Sequence, residues 1–244
     1  MGGIDLPGLG PSLLASQGWW IRQGLGATAV ALWLALLAAM AQKLRQRWPQ
    51  QREWSRKLVH IGTGAVVPLA WISGIDRLIA LPAAAIITLL AALNHRYRVL
   101  PAIEDVGRHS YGTVAYGASI TLLLLIFWPQ RADAVCAGVL VMALGDGLAG
   151  LLGPLVSSAS WRVLGQRRSL AGTLTMGLVS LAVLAALAGL TTASGGNLGE
   201  LPPTPLALLA IAAAAMLLEQ IGWGGIDNLS VPLAVAWLWH QFSS

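Results

Sequence analysis

The sequence carries few charges, since only 10% of its 244 residues are Asp, Glu, Lys or Arg. A soluble domain has about a quarter, so this composition excludes an ordinary soluble domain. Cys136 is the only cysteine, which excludes an intrachain disulfide, and no group of Cys and His residues has zinc-binding spacing. The phosphate-loop, dinucleotide-binding, zinc-protease and serine-hydrolase motifs are missing as well. Any nucleotide chemistry must therefore use a site built from other residues.

The N-terminal region lacks the basic start and compact apolar core of a secretory signal. Trp19 and Trp20 are instead typical of an anchor at a membrane interface. We therefore predict an N-terminal interfacial segment at 1–23, followed by a single membrane-embedded domain at 24–244.

Apolar residues are abundant and make up 56% of the chain. Several apolar runs approach or exceed the roughly 18 residues that indicate a transmembrane helix. The segments 59–75 and 227–240 are short, which leaves a tilted, re-entrant or buried position open for them. We predict an all-α, polytopic helix bundle of seven or eight spans from eight segments: 24–41, 59–75, 78–94, 113–128, 134–155, 171–191, 205–222 and 227–240.

Positive charge is distributed unevenly between the loops. The loops at 42–58, 95–112 and 156–170 hold 12 of the 15 Lys and Arg residues. The positive-inside rule places these loops in the cytoplasm and the N-terminus outside. We attribute the net charge of +5 to topology and to anionic lipid headgroups, and expect no nucleic acid partner. The polar clusters fall on the same face, so we expect an active site near the cytoplasm.

An acidic residue inside an apolar run is the strongest functional signal. Asp146 lies between Gly145 and Gly147 in a long aliphatic stretch. A carboxylate there requires a partner, a metal ion or a water-filled cavity, so it predicts a functional site. Glu219 and the pair Asp227-Asn228 lie at the ends of later apolar segments, and such oxygen ligands suit Mg²⁺.

Each acid also has a purely structural interpretation. Asp146 is then a polar contact between helices, and Asp227 is the N-cap of the last helix. Glu219 would only neutralise an arginine. The sequence leaves these alternatives open.

Basic residues lie at the predicted cytoplasmic boundary. Lys57 precedes His60 by three residues, so both face one side of a helix. The run Arg167-Arg168-Ser169 is followed by Gly172-Thr173, which opens a helix whose N-terminal amides suit phosphate. The two arginines would supply charge for a triphosphate. The alternatives are topology control for the basic residues and a packed polar side chain for His60.

Taken in order, these motifs resemble the phytol kinase and dolichol kinase family of membrane-bound, CTP-dependent polyprenol kinases. The short chain is similar to the phytol kinase branch. The resemblance spans residues 56 to 232 and rests on four motifs: Arg56-Lys57-Leu58-Val59-His60-Ile61-Gly62, Ala143-Leu144-Gly145-Asp146-Gly147-Leu148-Ala149 with Gly153, Arg167-Arg168-Ser169 with Gly172-Thr173, and Glu219 with Asp227-Asn228-Leu229 and Pro232.

The resemblance implies a kinase that phosphorylates phytol, or a related prenyl alcohol, with CTP and Mg²⁺. The product would feed tocopherol or phylloquinone synthesis in a cyanobacterial-type plasma or thylakoid membrane. We assign Asp146, His60 and Lys57 to catalysis. We assign nucleotide binding to five residues: Arg167, Arg168, Ser169, Gly172 and Thr173. We assign metal binding to Asp146, Asp227, Asn228 and Glu219.

Two positions depart from the family pattern. Relatives often have lysine where this chain has Arg168, and many have an acid where it has Ala171. The missing acid shifts the expected metal role onto Asp146 and Asp227. A kinase for farnesol, dolichol or diacylglycerol, a cytidylyltransferase that makes a CDP-linked lipid, and a small transporter remain as alternatives. The oligomeric state is left open.

Overall fold

A computed structural model of the protein describes residues 10–97, 99, 111–193 and 201–243. The described chain is mainly helical, which confirms the predicted all-α class, and one short hairpin departs from it. In chain order the elements are α1 Gly10–Arg47, α2 Arg52–Gly64, α3 Val66–Ile72, α4 Arg77–Tyr97, α5 Gly112–Phe127, α6 Ala132–Leu152, β1 Ser160–Val163, β2 Gln166–Ser169, α7 Leu170–Ala193, α8 Pro205–Gln220 and α9 Asp227–Phe242.

Four helices are long and apolar enough to cross a membrane by length and composition, namely α1 from Gln17, α4, α6 and α7. Helices α5 and α8 are also apolar but shorter. Large aliphatic side chains cover the outside of the bundle, and Leu32 and Leu89 are 66% and 59% exposed. An apolar outer surface of this kind suits contact with lipid. The total of seven or eight spans and the orientation stay predictions.

Two predicted boundaries differ from the structure. Helix α1 runs without a break from Gly10, so the boundary predicted between residues 23 and 24 falls inside a helix. The predicted segment 59–75 is divided between α2 and α3. The carbonyl oxygen of Gly62 accepts from the Trp33 Nε1 at 2.8 Å and from the Ala65 amide at 3.2 Å, which interrupts the regular helical ladder. Residues 1–9, and residues 98 and 100–110 of the predicted loop at 95–112, lie outside the described residues.

Helix α6 forms the centre of the bundle. It packs against α2, α3, α5, α7 and α9. Val135, Val139 and Val141 on this helix are fully buried. A helix whose side chains are small and apolar on all sides is expected at such a central position. Asp146 therefore lies on the innermost helix of the bundle.

A polar cluster joins the start of α6 to the end of α9. The Asp133 carboxylate accepts from the Arg131 guanidinium, at 3.0 Å to both Nε and Nη2, and from the Trp239 Nε1 at 2.7 Å. Arg131 also contacts His240. The cluster holds the end of the bundle opposite to Asp146.

We expect Asp133→Ala to destabilise the protein, because it removes the carboxylate that Arg131 and Trp239 share. Breaking a buried ion pair costs about 3–5 kcal/mol, which corresponds to a decrease in Tm of roughly 6–20 °C for a chain of this size. Thermal unfolding in detergent measures the change. Asp76→Asn is the control, since Asp76 accepts from the Leu78 amide at the start of α4 and asparagine caps a helix equally well. An unchanged Tm for Asp133→Ala would contradict this account.

Candidate active site

Three carboxylates from different helices converge at one end of the bundle. Asp146 comes from α6, Glu219 from the end of α8, and Asp227 from the start of α9. One oxygen from each carboxylate lies within 4.8 Å of the other two. Residues separated by up to 81 positions are thereby brought into one cluster, as the sequence predicted for a shared site.

The backbone of α6 is irregular where it presents Asp146. Residues Val141–Asp146 form a π-helical turn within the longer helix. A π-helical turn is rare and is frequently found at functional sites. It ends at Asp146, so the irregular backbone fixes where the carboxylate points.

Lys57 and His60 approach Asp146 from α2. The Lys57 ammonium donates to Asp146 Oδ2 at 2.7 Å and to the Asp146 carbonyl oxygen at 3.0 Å. The His60 Nε2 lies 3.3 Å from the same Oδ2 and 3.2 Å from the Met142 carbonyl oxygen. The three side chains are largely buried, with 6%, 7% and 15% exposure for Lys57, His60 and Asp146. The spacing of Lys57 and His60 predicted a shared face, and that face contacts Asp146.

The arginine pair lies on a β-hairpin, which the sequence did not predict. Strands β1 and β2 pair antiparallel, with Ser160 opposite Ser169 and Arg162 opposite Arg167. The connecting residues Leu164 and Gly165 both have positive φ, 49° and 77°. Positive φ at both central residues is typical of a tight two-residue hairpin turn. Leu164 and Gly165 are therefore the two turn residues of this hairpin.

Side chains alternate along β2, so the two arginines face different surroundings. Arg168 pairs with the Glu219 carboxylate and donates to the carbonyl oxygens of Glu219, at 2.6 Å, and Gly222, at 3.0 Å. Arg167 is exposed. The structural interpretation of Glu219, neutralisation of an arginine, is thus observed together with its place in the carboxylate cluster.

The amides at the start of α7 are not free for phosphate, contrary to the sequence-based expectation. The amides of Leu170, Ala171 and Gly172 donate to the Ala159 carbonyl oxygen and to the hydroxyls of Ser158 and Ser169, at 2.8, 3.2 and 3.2 Å. Residues from the preceding loop and strand act as caps, and sequence spacing alone did not reveal them. Ser169 thereby positions the start of this helix next to the cluster.

Asp227 is the first residue of α9 but does not cap it, so the capping role considered from the sequence is not observed. Its carboxylate makes no capping bond to the later amides of α9 and accepts only from the amide and side-chain nitrogens of Asn228, at 3.1 Å each. The Asn228 side chain is buried, and its Oδ1 has no hydrogen-bond partner among the residues that the structure describes. A Cβ added at Gly222 would lie 2.6 Å from the Asp227 Cβ, so glycine is needed for the close approach. An unsatisfied oxygen beside the acids is therefore available for a ligand.

These groups line a polar pocket of about 870 Å³. The charges of its described lining residues are balanced, because four basic side chains (Arg56, Lys57, Arg167 and Arg168) face four carboxylates (Glu53, Asp146, Glu219 and Asp227). Ser169, Gly172, Thr173 and Asn228 also line this polar pocket. Every predicted nucleotide or metal residue therefore contributes to one space, while His60 lies behind Asp146.

A second cavity of about 500 Å³, which we call the apolar chamber, lies between α1, α2, α3, α4 and α5. His60 forms part of its wall, and Arg56, Gly112 and Thr113 line both spaces. The polar pocket and the apolar chamber are therefore neighbours that share three lining residues, and His60 in the wall of the chamber contacts Asp146 in the wall of the pocket.

Sequence reasoning missed two residues of the site. Tyr116 stacks on His60 with ring centroids 4.6 Å apart, and no spacing rule connects α5 with α2. Gly150 lies against Lys57. The position of Gly150 four residues after Asp146 places both on one helix face, which is a signal that the sequence does contain.

The chain is similar over most of its length to a curated phytol kinase from Synechocystis sp. The two are 38% identical over 222 residues, which cover 89% of this chain and 91% of the relative. No protein-family model matches the chain, and no solved structure matches it. This relationship shows that the protein is a kinase with an alcohol acceptor, and the chain belongs to the phytol kinase family.

Proposed function

We propose that the protein is a multi-pass membrane kinase that transfers the γ-phosphate of CTP to the hydroxyl of phytol. The observation that carries this proposal is that two unlike cavities lie side by side: they share Arg56, Gly112 and Thr113, and their walls touch where His60 contacts Asp146. One is polar and suits a nucleotide, and the other is apolar and suits a lipid chain. An enzyme that joins a water-soluble phosphate donor to a lipid alcohol requires both at one reacting point.

The balance of charge in the polar pocket favours a divalent cation. A triphosphate that entered alone would meet as many carboxylates as basic groups. Three convergent carboxylates and the unsatisfied Asn228 Oδ1 form an all-oxygen donor set, which fits Mg²⁺. We propose Asp146, Glu219, Asp227 and Asn228 as its holders. Bound Mg²⁺ would neutralise negative charge on the phosphates.

The basic residues would bind and orient the nucleotide. Arg167 is exposed at the edge of the polar pocket, where its guanidinium group would contact an entering phosphate. Lys57 and Arg168 lie deeper, already within 3.0 Å of site oxygens. Phosphoryl transfer depends mainly on such positioning and charge neutralisation, so this set of residues is sufficient for the reaction.

In the reaction, the alcohol oxygen forms a bond to the γ-phosphorus, and the bond from that phosphorus to the β-phosphate oxygen breaks. CDP leaves, and the proton of the alcohol passes to His60 or Asp146. His60 is the group that lines the apolar chamber and also contacts Asp146, so an alcohol at the end of the chamber would meet it first. We assign proton acceptance to this pair.

The deciding experiment uses membranes that contain the protein, γ-labelled CTP, Mg²⁺ and phytol. We expect label in a phytol-dependent lipid and release of CDP. Addition of EDTA should remove the signal, and excess Mg²⁺ should restore it. Label from α-labelled CTP in the lipid, with release of pyrophosphate, would instead indicate a cytidylyltransferase.

The wider setting is proposed from the resemblance alone. A phytyl phosphate product would supply tocopherol or phylloquinone synthesis, and the polar pocket would face the cytoplasm of a cyanobacterial-type plasma or thylakoid membrane. Polar lining at both ends of the bundle would favour a transporter. The described site residues gather instead at one end.

Gly150→Ala tests the role of Lys57 without touching a charge. An added Cβ would lie 2.5 Å from the Lys57 Cε and 2.6 Å from its Nζ, so the ammonium must move away from Asp146. We expect about a ten- to hundred-fold loss of kcat/KM, since a charge-assisted hydrogen bond is lost. Tm should fall by less than in Asp133→Ala, because both charged side chains stay in place and alanine is the better helix former.

The matched control is Gly189→Ala, in which the added methyl on α7 meets no atom within 4 Å. It should leave both kinase activity and Tm unchanged. Full activity in Gly150→Ala would show that the contact between Lys57 and Asp146 is dispensable.

A further inference from the structure

The apolar chamber is closed at the end far from Asp146. Gln23 on α1 is 2% exposed, and its side chain accepts from the Asp76 amide at 2.8 Å and donates to the Gly74 carbonyl oxygen at 3.0 Å. The fully buried Trp128 donates to the Ile75 carbonyl oxygen at 2.9 Å. The turn between α3 and α4 is thus held on both sides, and it forms the floor of the chamber.

The length of the apolar chamber follows from the residues of α5 that line it. They run from Gly112, beside the polar pocket, to Leu124 near the floor. At ~1.5 Å per residue, this stretch of helix is about 18 Å long. The lining is mainly aliphatic, and the Thr88 hydroxyl is already satisfied by the Ala84 carbonyl oxygen and by Thr121. Such a space suits a hydrocarbon chain of limited length.

The side of the apolar chamber is open to the surroundings. Helix α1 packs on α2 and α3, whereas α4 packs on α5, and contact between α1 and α4 is slight in the described chain. Lining residues next to this gap are exposed on the outer surface, among them Ala31 on α1 and Ile87 on α4. A lipid could therefore enter laterally from the bilayer without passing through water.

Resting on the proposed function, we propose that the apolar chamber holds the hydrocarbon chain of the acceptor alcohol. Its closed floor, bounded by Ala80 and Leu124, sets the longest chain that reaches His60 in a reactive position. Because bilayer lipid is as apolar as the chamber wall, moving the chain from one to the other provides little driving force. Length is therefore selected by steric fit against the floor and not by the amount of apolar surface buried.

The test shortens the apolar chamber by filling its closed end. Ala80 on α4 is 9% exposed and lines the apolar chamber, so Ala80→Phe fills its closed end. We expect the ratio of kcat/KM for phytol to that for the shorter farnesol to fall about ten-fold or more, as for other misfits of pocket and chain. Ala85→Phe adds the same ring on the exposed side of α4, away from the lining. This control should change the ratio by less than about two-fold.

Leu124→Ala tests the inference in the opposite direction and does not depend on the folding of Ala80→Phe. Deepening the floor should raise the relative rate with geranylfarnesol, a prenyl alcohol one isoprene unit longer than phytol, over the rate with phytol. If wild-type protein labels phytol but the ratios are unchanged in both variants, the chamber holds a structural lipid and the inference is overturned. Wild-type protein that labels neither alcohol would contradict the proposed function itself.

Discussion

Asp146→Asn is expected to abolish phosphoryl transfer while the protein still inserts into the membrane. The Asp146 carboxylate accepts from Lys57, contacts His60 and belongs to the three-carboxylate cluster. Asparagine has nearly the same shape but no charge, so one substitution weakens the ion pair, the metal donor set and the proton acceptor together. Removal of a group that stabilises the transition state typically lowers kcat by about 10²–10³-fold. Because Asp146 combines several proposed roles, we expect kcat of this variant to fall by about 10³-fold or more.

The measurement is kcat with γ-labelled CTP, normalised to the amount of protein in the membrane. Asp76→Asn, the same chemical change at the opposite end of the bundle, serves as the control and should retain wild-type activity. Asp146→Glu keeps the charge but alters its reach, and should fall between the two. Activity of Asp146→Asn within about three-fold of wild type would refute the assigned role.

Arg168→Met is expected to cause the second largest loss. Arg168 connects the hairpin with Glu219 and with two carbonyl oxygens at the end of α8. Truncation leaves the largely buried Glu219 carboxylate without this partner and removes charge from the polar pocket. Removing one member of a buried, hydrogen-bonded charge pair costs about 2–5 kcal/mol, so we expect kcat/KM for CTP to fall about 10²-fold or more.

Three further variants separate the possible roles of Arg168. Arg168→Lys keeps the charge but not the planar fork, and should restore activity only in part. Arg162→Met removes an exposed arginine from the other strand of the hairpin and should be nearly neutral. In the Arg168→Met background, Glu219→Gln should cost less than it does alone if the two side chains act as a pair. Strict additivity would mean that they act independently.

Buried charge is rare in an apolar sequence, so it was the signal that pointed to the acids of the candidate site. Asp146, Glu219 and Asp227 each interrupt an apolar context, and the structure brings all three together. The helical spacing of Lys57 and His60 also predicted their common face correctly. Such inferences succeed where a local pattern has a single physical interpretation.

Features that depend on contacts between distant elements were not predictable in this way. The segment from Ser160 to Ser169 is polar and short, and its pairing as a hairpin depends on the turn at Leu164 and Gly165. The π-helical turn before Asp146 leaves no mark in an aliphatic sequence. The apolar chamber exists because α1 and α4 pack on different neighbours, which hydropathy alone does not report.

The pairing of Lys57 with Asp146, and of Arg168 with Glu219, has a consequence for how strongly nucleotide is retained. Without nucleotide, two of the three acids, Asp146 and Glu219, already have counterions supplied by the protein. Arrival of the metal nucleotide then exchanges one set of partners for another, and the net gain in free energy is the difference between the two sets. On the proposed function, we expect this exchange to lower the affinity for nucleotide. We also expect it to favour product release, because the protein's own ion pairs re-form as the product departs.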